Sequence, residues 1–461
     1  MVLQTSPGGP LRKNQEITCR IDTLGAQGEG ICREMGQILF IPYALPGETV
    51  RAQVQKVTKS LAFGRLLDVL SPSPDRVAPP CSYFGRCGGC SLQHLDYQGQ
   101  LVHKSKQIQE AMQRVGKIKM PVPPAVGLDE PWRYRNKTAL PVQEIGGQPY
   151  AGYYAPRSHR LVPITSCLIA HPACDDATRA VTGWMREQGI AAFNEEENSG
   201  LIRHLVTRVN ALDEVMVILA INGKHLPNAP ELIKSLQNAL PRFHSLHLTF
   251  QTTGDNVILG ETSQSLYGDK SFVDWACGLS FELSPLSFFQ VNSKVSQRMY
   301  ERALLWADLQ PDDTAVDLYS GAGAITLLAA GQCKRAIGIE ISIESVENAR
   351  SNALRNHADN AFFHLGEAEI LLPQMLEAGL AADVVFLDPP RKGAHSDVLK
   401  AIAKAQPRRI IYISCHPASQ ARDAALLGAL GYHAALCQPY DMFCQTAQVE
   451  NVMSFERIHS S

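Results

Sequence analysis

From residue 286 to the end, short β-branched apolar runs alternate with longer amphipathic stretches. The runs are Ala315-Val-Asp-Leu-Tyr, Arg335-Ala-Ile-Gly-Ile-Glu340, Asp383-Val-Val-Phe-Leu-Asp388 and Arg409-Ile-Ile-Tyr-Ile-Ser. They are apolar at nearly consecutive positions, as strands buried on both faces are. This predicts an α/β unit with a parallel, doubly wound sheet, entered through a helix near residues 293–307. At the other end, the short runs Ile17 to Ile21, Gln37 to Pro42 and Thr49 to Val54 are separated by Gly25, Gly28, Gly30, Gly36 and Gly47. Short strands with such turn signals predict a small antiparallel barrel. Between the two lies a mixed region, with a strand at Glu214 to Ile221 and helical spans near 98–116, 172–188 and 230–240, which reads as α+β. A Ser71-Pro-Ser-Pro junction followed by Pro79-Pro80 marks the first boundary. The expected division is a barrel over 11–70, a central α+β domain over 71–285 and a Rossmann-like α/β domain over 286–461.

Open α/β sheets bind ligands beyond the carboxyl ends of their strands. Asp388 and Cys415 stand where apolar runs turn polar, and Glu450 follows about one crossover later. Parallel strands would bring this thiol and two carboxylates to one edge. A lone cysteine at a strand end is more often a small core residue. Its acidic company makes Cys415 a candidate nucleophile.

The first run leads into Ser320-Gly321-Ala-Gly323, a turn whose glycines allow a cofactor close to the backbone. Glu340 closes the second run, where a carboxylate accepts the hydroxyls of a ribose. A dinucleotide suits the same pattern, but the third glycine that seats a pyrophosphate is missing. S-adenosylmethionine, which has a ribose and no phosphate, is favoured, and Asp388-Pro-Pro strengthens the case for a methyltransferase sheet.

The 461 residues are 45% hydrophobic, enough for two or three buried cores. No apolar run approaches a membrane span and no leader precedes the first strands, so a cytoplasmic protein with no membrane partner is expected, as a monomer. The net charge of −2 hides an uneven distribution: the first 140 residues carry 18 Lys and Arg against 11 Asp and Glu, leaving 25 against 34 for the remainder. A basic front suits a nucleic-acid partner, and Arg33, Arg51, Lys56, Lys59 and Arg65 would decorate the barrel. Of 12 cysteines, only Cys81, Cys87 and Cys90 cluster, in a glycine-rich loop. Such a group in a chain without a secretory leader points to a metal centre, with Cys167 or Cys174 as the fourth ligand. Zinc and an iron-sulfur cluster both accept four thiolates, and the presence of one C-x2-C unit instead of two favours iron-sulfur.

With these residues in view, the chain resembles the RNA uracil-5-methyltransferases over residues 12–458, and most closely the branch that acts on 23S ribosomal RNA, with a TRAM barrel and a 4Fe-4S cluster. The resemblance rests on Cys81-x5-Cys87-x2-Cys90 with Cys167, Tyr134-Arg-Asn-Lys137, Ser287-Phe-Phe-Gln290-Val-Asn292, Asp317-Leu-Tyr319, Phe386-Leu-Asp388-Pro-Pro-Arg391, Ser414-Cys415, and Asp441-Met-Phe443 with Glu450. It implies Cys415 as nucleophile, Glu450 as base, and Gln290, Tyr319, Glu340 and Asp388 as contacts to S-adenosylmethionine. It also implies Cys81, Cys87, Cys90 and Cys167 as cluster ligands. Ser320, Ala324, His416, Cys444 and Gln448 depart from residues common in relatives, and none of these changes removes a catalytic group.

The implied chemistry needs a thiolate, so the pocket is expected to lower the Cys415 pKa, through Arg391 or His416. Trp132, Arg133, Tyr134, Arg135 and Lys137 are expected to stabilise the opened RNA. A transfer RNA substrate, an amino-group methyltransferase, or a catalytically silent RNA-binding assembly factor are the competing readings.

Overall fold

The computed structural model describes residues 11–33, 36–252 and 257–458. The first ten residues of the polar stretch that opens the chain lie outside them.

Seven strands build the C-terminal sheet: β1 (Thr314–Leu318), β2 (Arg335–Glu340), β3 (Ala361–Leu365), β4 (Val384–Leu387), β5 (Arg409–Ser414), β6 (Tyr432–Tyr440) and β7 (Glu450–Arg457). Their spatial order is β3-β2-β1-β4-β5-β7-β6. Burial on both faces explains the unbroken apolar runs. Val316, Leu318, Val385, Leu387, Ile410 and Tyr412 enter one core, whereas their neighbours Ala315, Val384, Phe386, Ile411 and Ile413 enter the other. Each large side chain so buried contributes about 1.5–3 kcal/mol. Strands β1 to β5 are parallel. The expected alternation of strand and helix then ends with helix Pro417–Ala429, because β7 runs antiparallel to both β5 and β6. Glu450 therefore opens an antiparallel strand, a correction to its expected place beyond a parallel one.

The central sheet runs in the order Ser263–Tyr267, Phe243–Phe250, Val215–Ile221, Ile202–Val209, Lys137–Ile145, Gln148–Tyr154, Leu161–Pro163. Helices Pro172–Gln188 and Ala229–Ala239 cover one face. From the other, Val206, Met216 and Ile218 pack with Phe281, Val346 and Phe363, joining this sheet to the flank of the C-terminal one.

The N-terminal sheet has six strands in the order Glu16–Arg20, Thr49–Val57, Leu61–Ser71, Ile38–Ile41, Gly30–Cys32, Thr23–Leu24. One pairing, Ile38–Ile41 with Leu61–Ser71, is parallel, so the sheet is not purely antiparallel as expected. The proline-rich junction after it is pinned rather than loose. Glu48, without solvent exposure, accepts from the Leu45 and Ser73 amides at 2.8 and 3.2 Å and pairs with the Arg76 guanidinium. Among the described residues no helix is long and apolar enough to cross a membrane.

Candidate active site

The strand register decides which side chains meet. Leu318 pairs with Ile339 and Leu387, Leu387 with Tyr412, and Ser414 with Asn451. Tyr319, Glu340, Asp388, Cys415 and Glu450 consequently emerge at one sheet edge. All five, with Gln290 and Arg391, line a single cavity of about 1280 Å³. Antiparallel partners lie about 5 Å apart at Cα, so the step beyond Ser414 and Asn451 sets Cys415 opposite Glu450.

One side of the cavity is shaped to hold a ligand by its backbone. Tyr319 leaves β1 with a positive φ of 67°, and its amide and that of Ser320 donate to the Ile339 carbonyl at 3.0 and 3.1 Å. The Glu340 carboxylate accepts from the amides of Gly321 and Ser342 at 3.0 and 2.8 Å, which fixes its orientation and leaves lone pairs for a ligand hydroxyl. Gly323 has a φ of +89°, and a Cβ there would come within 2.8 Å of the Phe363 ring. Gln290 is positioned from the central sheet: the Asn136 side chain donates to its carbonyl at 3.2 Å, and the Asn136 amide donates to Val291 at 2.9 Å.

Asp317 belongs to the same wall, although the sequence reading gave it no role. The Thr326 hydroxyl donates to one of its oxygens at 2.6 Å; the other oxygen, like the Ser320 hydroxyl, is buried without a protein partner. Burial pushes Asp317 and Asp388 each up to about 7. The signal for Asp317 was available as a carboxylate inside an otherwise apolar strand.

The electrostatics around Cys415 oppose the expected lowering of its pKa. Burial, then the carboxyls of Glu450 and Asp388, push the thiol up to about 11, with Arg391 pulling the other way. Burial and Asp388 likewise raise Glu450 well above the usual carboxylate range, against Arg391 and Lys104. His416 does not supply the expected charge. Its Nδ1 accepts from the Ser419 amide at 3.3 Å as the cap of helix Pro417–Ala429, and burial with Arg391 and Arg422 lowers its own pKa.

Cys81, Cys87, Cys90 and Cys167 line a second cavity of about 610 Å³. Cys174 is absent from it, buried in the apolar core on helix Pro172–Gln188, so of the two candidates for the fourth position Cys167 is the one in place. Burial, and more weakly the neighbouring thiols, push Cys87 up to about 11 and Cys90 up to about 12. Among the described residues no group of three or more His, Cys, Asp or Glu side chains is arranged to hold a metal ion. Arg391 and Phe443 line both cavities and form the wall between them.

The segment expected to brace opened RNA is engaged internally. Arg133 donates to the Cys167 and Ala170 carbonyls at 2.8 and 3.1 Å and pairs with Asp175, holding the Cys167 loop. The Tyr134 hydroxyl donates to the Cys444 carbonyl at 3.0 Å, and Arg135 faces the cysteine cavity.

Residues 276–458 match the family model described as tRNA (Uracil-5-)-methyltransferase, and residues 10–67 match the TRAM domain. An uncharacterised RNA methyltransferase of Halalkalibacterium halodurans is 40% identical over 449 residues, covering 97% of this chain and 98% of its own. One of Clostridium tetani is 38% identical over 445 residues, covering 96% and 97%. The tRNA (uracil-54, C5)-methyltransferase of Pyrococcus abyssi, solved with S-adenosyl-L-homocysteine, superposes with a TM-score of 0.77 at 23% identity, over 95% of this chain and all of that one, and so shares the fold. On sequence, the chain belongs to the RNA (uracil-5-)-methyltransferases that carry a TRAM domain.

Proposed function

We propose that this protein methylates carbon 5 of a uridine in RNA, in 23S ribosomal RNA rather than transfer RNA, through a covalent bond between Cys415 and carbon 6. The observation that carries the reading is the meeting of Cys415 and Glu450 in one cavity, with Gln290, Tyr319, Glu340 and Asp388 on its walls to hold S-adenosylmethionine.

Carbon 5 of uracil is too weakly nucleophilic to take a methyl group directly. Addition of the Cys415 thiolate to carbon 6 converts the ring to an enolate with electron density at carbon 5. S-adenosylmethionine supplies the electrophilic methyl group. Glu450, in its carboxylate form, then removes the carbon-5 proton, the carbon–sulfur bond breaks and the thiolate is released. Arg391 is the cation that favours ionised Cys415, and a neutral Asp388 removes part of the repulsion that opposes it. The uridine must leave its stack to enter, at a cost of a few kcal/mol.

The four cysteines fit a 4Fe-4S cluster by donor chemistry, because thiolates are its usual ligands and these four line one cavity. The cluster is structural in this reading, and it is the feature by which the chain resembles the ribosomal RNA branch.

Mapping of 5-methyluridine by mass in ribosomal and transfer RNA, with and without the gene, tests the substrate. A loss confined to transfer RNA moves the substrate there, and unchanged RNA sinks the reading. For the mechanism, Cys415→Ala abolishes transfer, and Glu450→Gln accumulates a covalent RNA adduct on Cys415. Normal turnover by Glu450→Gln means that the base is wrongly assigned.

A further inference from the structure

Lys104 and Asp441 form an ion pair in which neither side chain has any solvent exposure. Lys104 lies in helix Tyr97–Ala111, and Asp441 directly follows β6, at the start of the loop 441–449 that delivers Glu450. Burying two charges costs several kcal/mol per ion before their attraction offsets it, and an apolar pair of similar volume often serves stability as well or better. The pair is therefore poorly explained by stability and well explained by position.

The Lys104 ammonium also donates to the Phe443 carbonyl at 3.1 Å, and the second Asp441 oxygen accepts from the Tyr97 hydroxyl at 2.8 Å. From the same helix, Gln100 donates to the Gln445 side-chain oxygen at 3.0 Å and Gln107 to the Ala447 carbonyl at 2.8 Å. Residues 97, 100, 104 and 107 recur at helical spacing, so one polar stripe faces the loop along its length. Gln445 is held in the left-handed region, φ 70°, where a non-glycine residue is strained. The amides of Ser91 and Leu92, just after Cys90, both donate to its carbonyl at 3.0 Å and keep it there.

We infer that helix Tyr97–Ala111 is a template for the catalytic loop, with Lys104 as a positioning residue that, through Asp441 and the Phe443 carbonyl, sets where Glu450 stands in the cavity. The inference rests on the reading of Glu450 as the base. A double variant, Lys104→Met with Asp441→Leu, removes both charges together and so avoids leaving one unpaired in the core.

In the full-length protein, the double variant is expected to melt within a few degrees of the parent and to bind S-adenosylhomocysteine normally. The covalent RNA adduct forms, yet resolves about tenfold more slowly, so kcat falls while KM stays within about threefold. A folded double variant that turns over within about threefold of the parent overturns the inference. Should it fail to fold, Tyr97→Phe decides, since it removes one hydroxyl from Asp441: slowed adduct resolution supports the template and parental kinetics overturn it. Glu450→Gln is run alongside. Absence of adduct there refutes the base assignment itself, and the template falls with it; adduct there together with normal turnover in the Lys104 variants refutes the template alone.

Discussion

A thiol attacks only as its thiolate, and most of what surrounds Cys415 resists ionisation. Burial and the carboxyls of Glu450 and Asp388 outweigh Arg391, so the group titrates near 11 rather than near 9. At neutral pH this leaves less thiolate than a free cysteine has. The rate of Cys415 alkylation by iodoacetamide, followed by peptide mass across pH, is therefore expected to rise with a midpoint near 11 in the free enzyme. Arg391→Ala moves that midpoint higher still, because the pull of its guanidinium toward the thiolate is gone. A midpoint below 9 in the parent would contradict this electrostatic picture. The place of Cys415 at the sheet edge was legible in the sequence as a polar interruption at the end of an apolar run. Its charge state was not, because His416 turns its ring nitrogen to cap a helix, and a neighbour in sequence says nothing about where its side chain points.

At the scale of elements, the parallel strands were legible because burial on both faces writes unbroken apolar runs, as in Val384–Leu387, where every residue is buried. Direction was less so. Strand β7 is as buried as β5, but its antiparallel pairing is set by its partners, and composition carries no record of it. Glu450 reached the predicted edge all the same, since the first residue of an antiparallel strand and the residue after a parallel one share an edge. The glycine turn after β1 was legible in full, and it makes a sharp demand. Gly323→Ala imposes a left-handed backbone on an L-residue and drives a methyl group to 2.8 Å from the Phe363 ring. Strain and overpacking together are expected to destabilise the fold by about 2–4 kcal/mol. A lowered melting temperature with weakened S-adenosylhomocysteine binding in calorimetry is the expected result. A variant with the parental melting temperature would show that the turn relaxes at no cost.

Across the whole molecule, the N-terminal sheet is attached at the point where the other parts converge. Gly28 approaches Leu92 and Ala447 so closely that a Cβ would stand 2.8 Å from the Leu92 side chain, and Lys106 donates to Thr23 at 3.0 Å. The sheet therefore rests on the cysteine segment and on the template helix, beside the loop that carries Glu450. Its cations are not equivalent. Arg33 and Arg51 are already paired with Asp22 and Asp68, and Arg65 donates to Gln53, whereas Lys56 and Lys59 are exposed and have no ion pair among the described residues. If this sheet guides RNA by charge, Lys56 and Lys59 are among the cations that neutralise phosphates and release counterions. Lys56→Glu with Lys59→Glu is then expected to weaken RNA binding about tenfold near physiological salt and to flatten the dependence of log affinity on log salt by about 1 to 2, the loss of two phosphate contacts. Turnover at saturating RNA should stay at the parental value, because neither residue lines the cavity that holds Cys415 and Glu450. Unchanged affinity and slope would make the sheet a structural brace for the cysteine segment, and a fall in turnover at saturation would mean that it also shapes the loop it rests on.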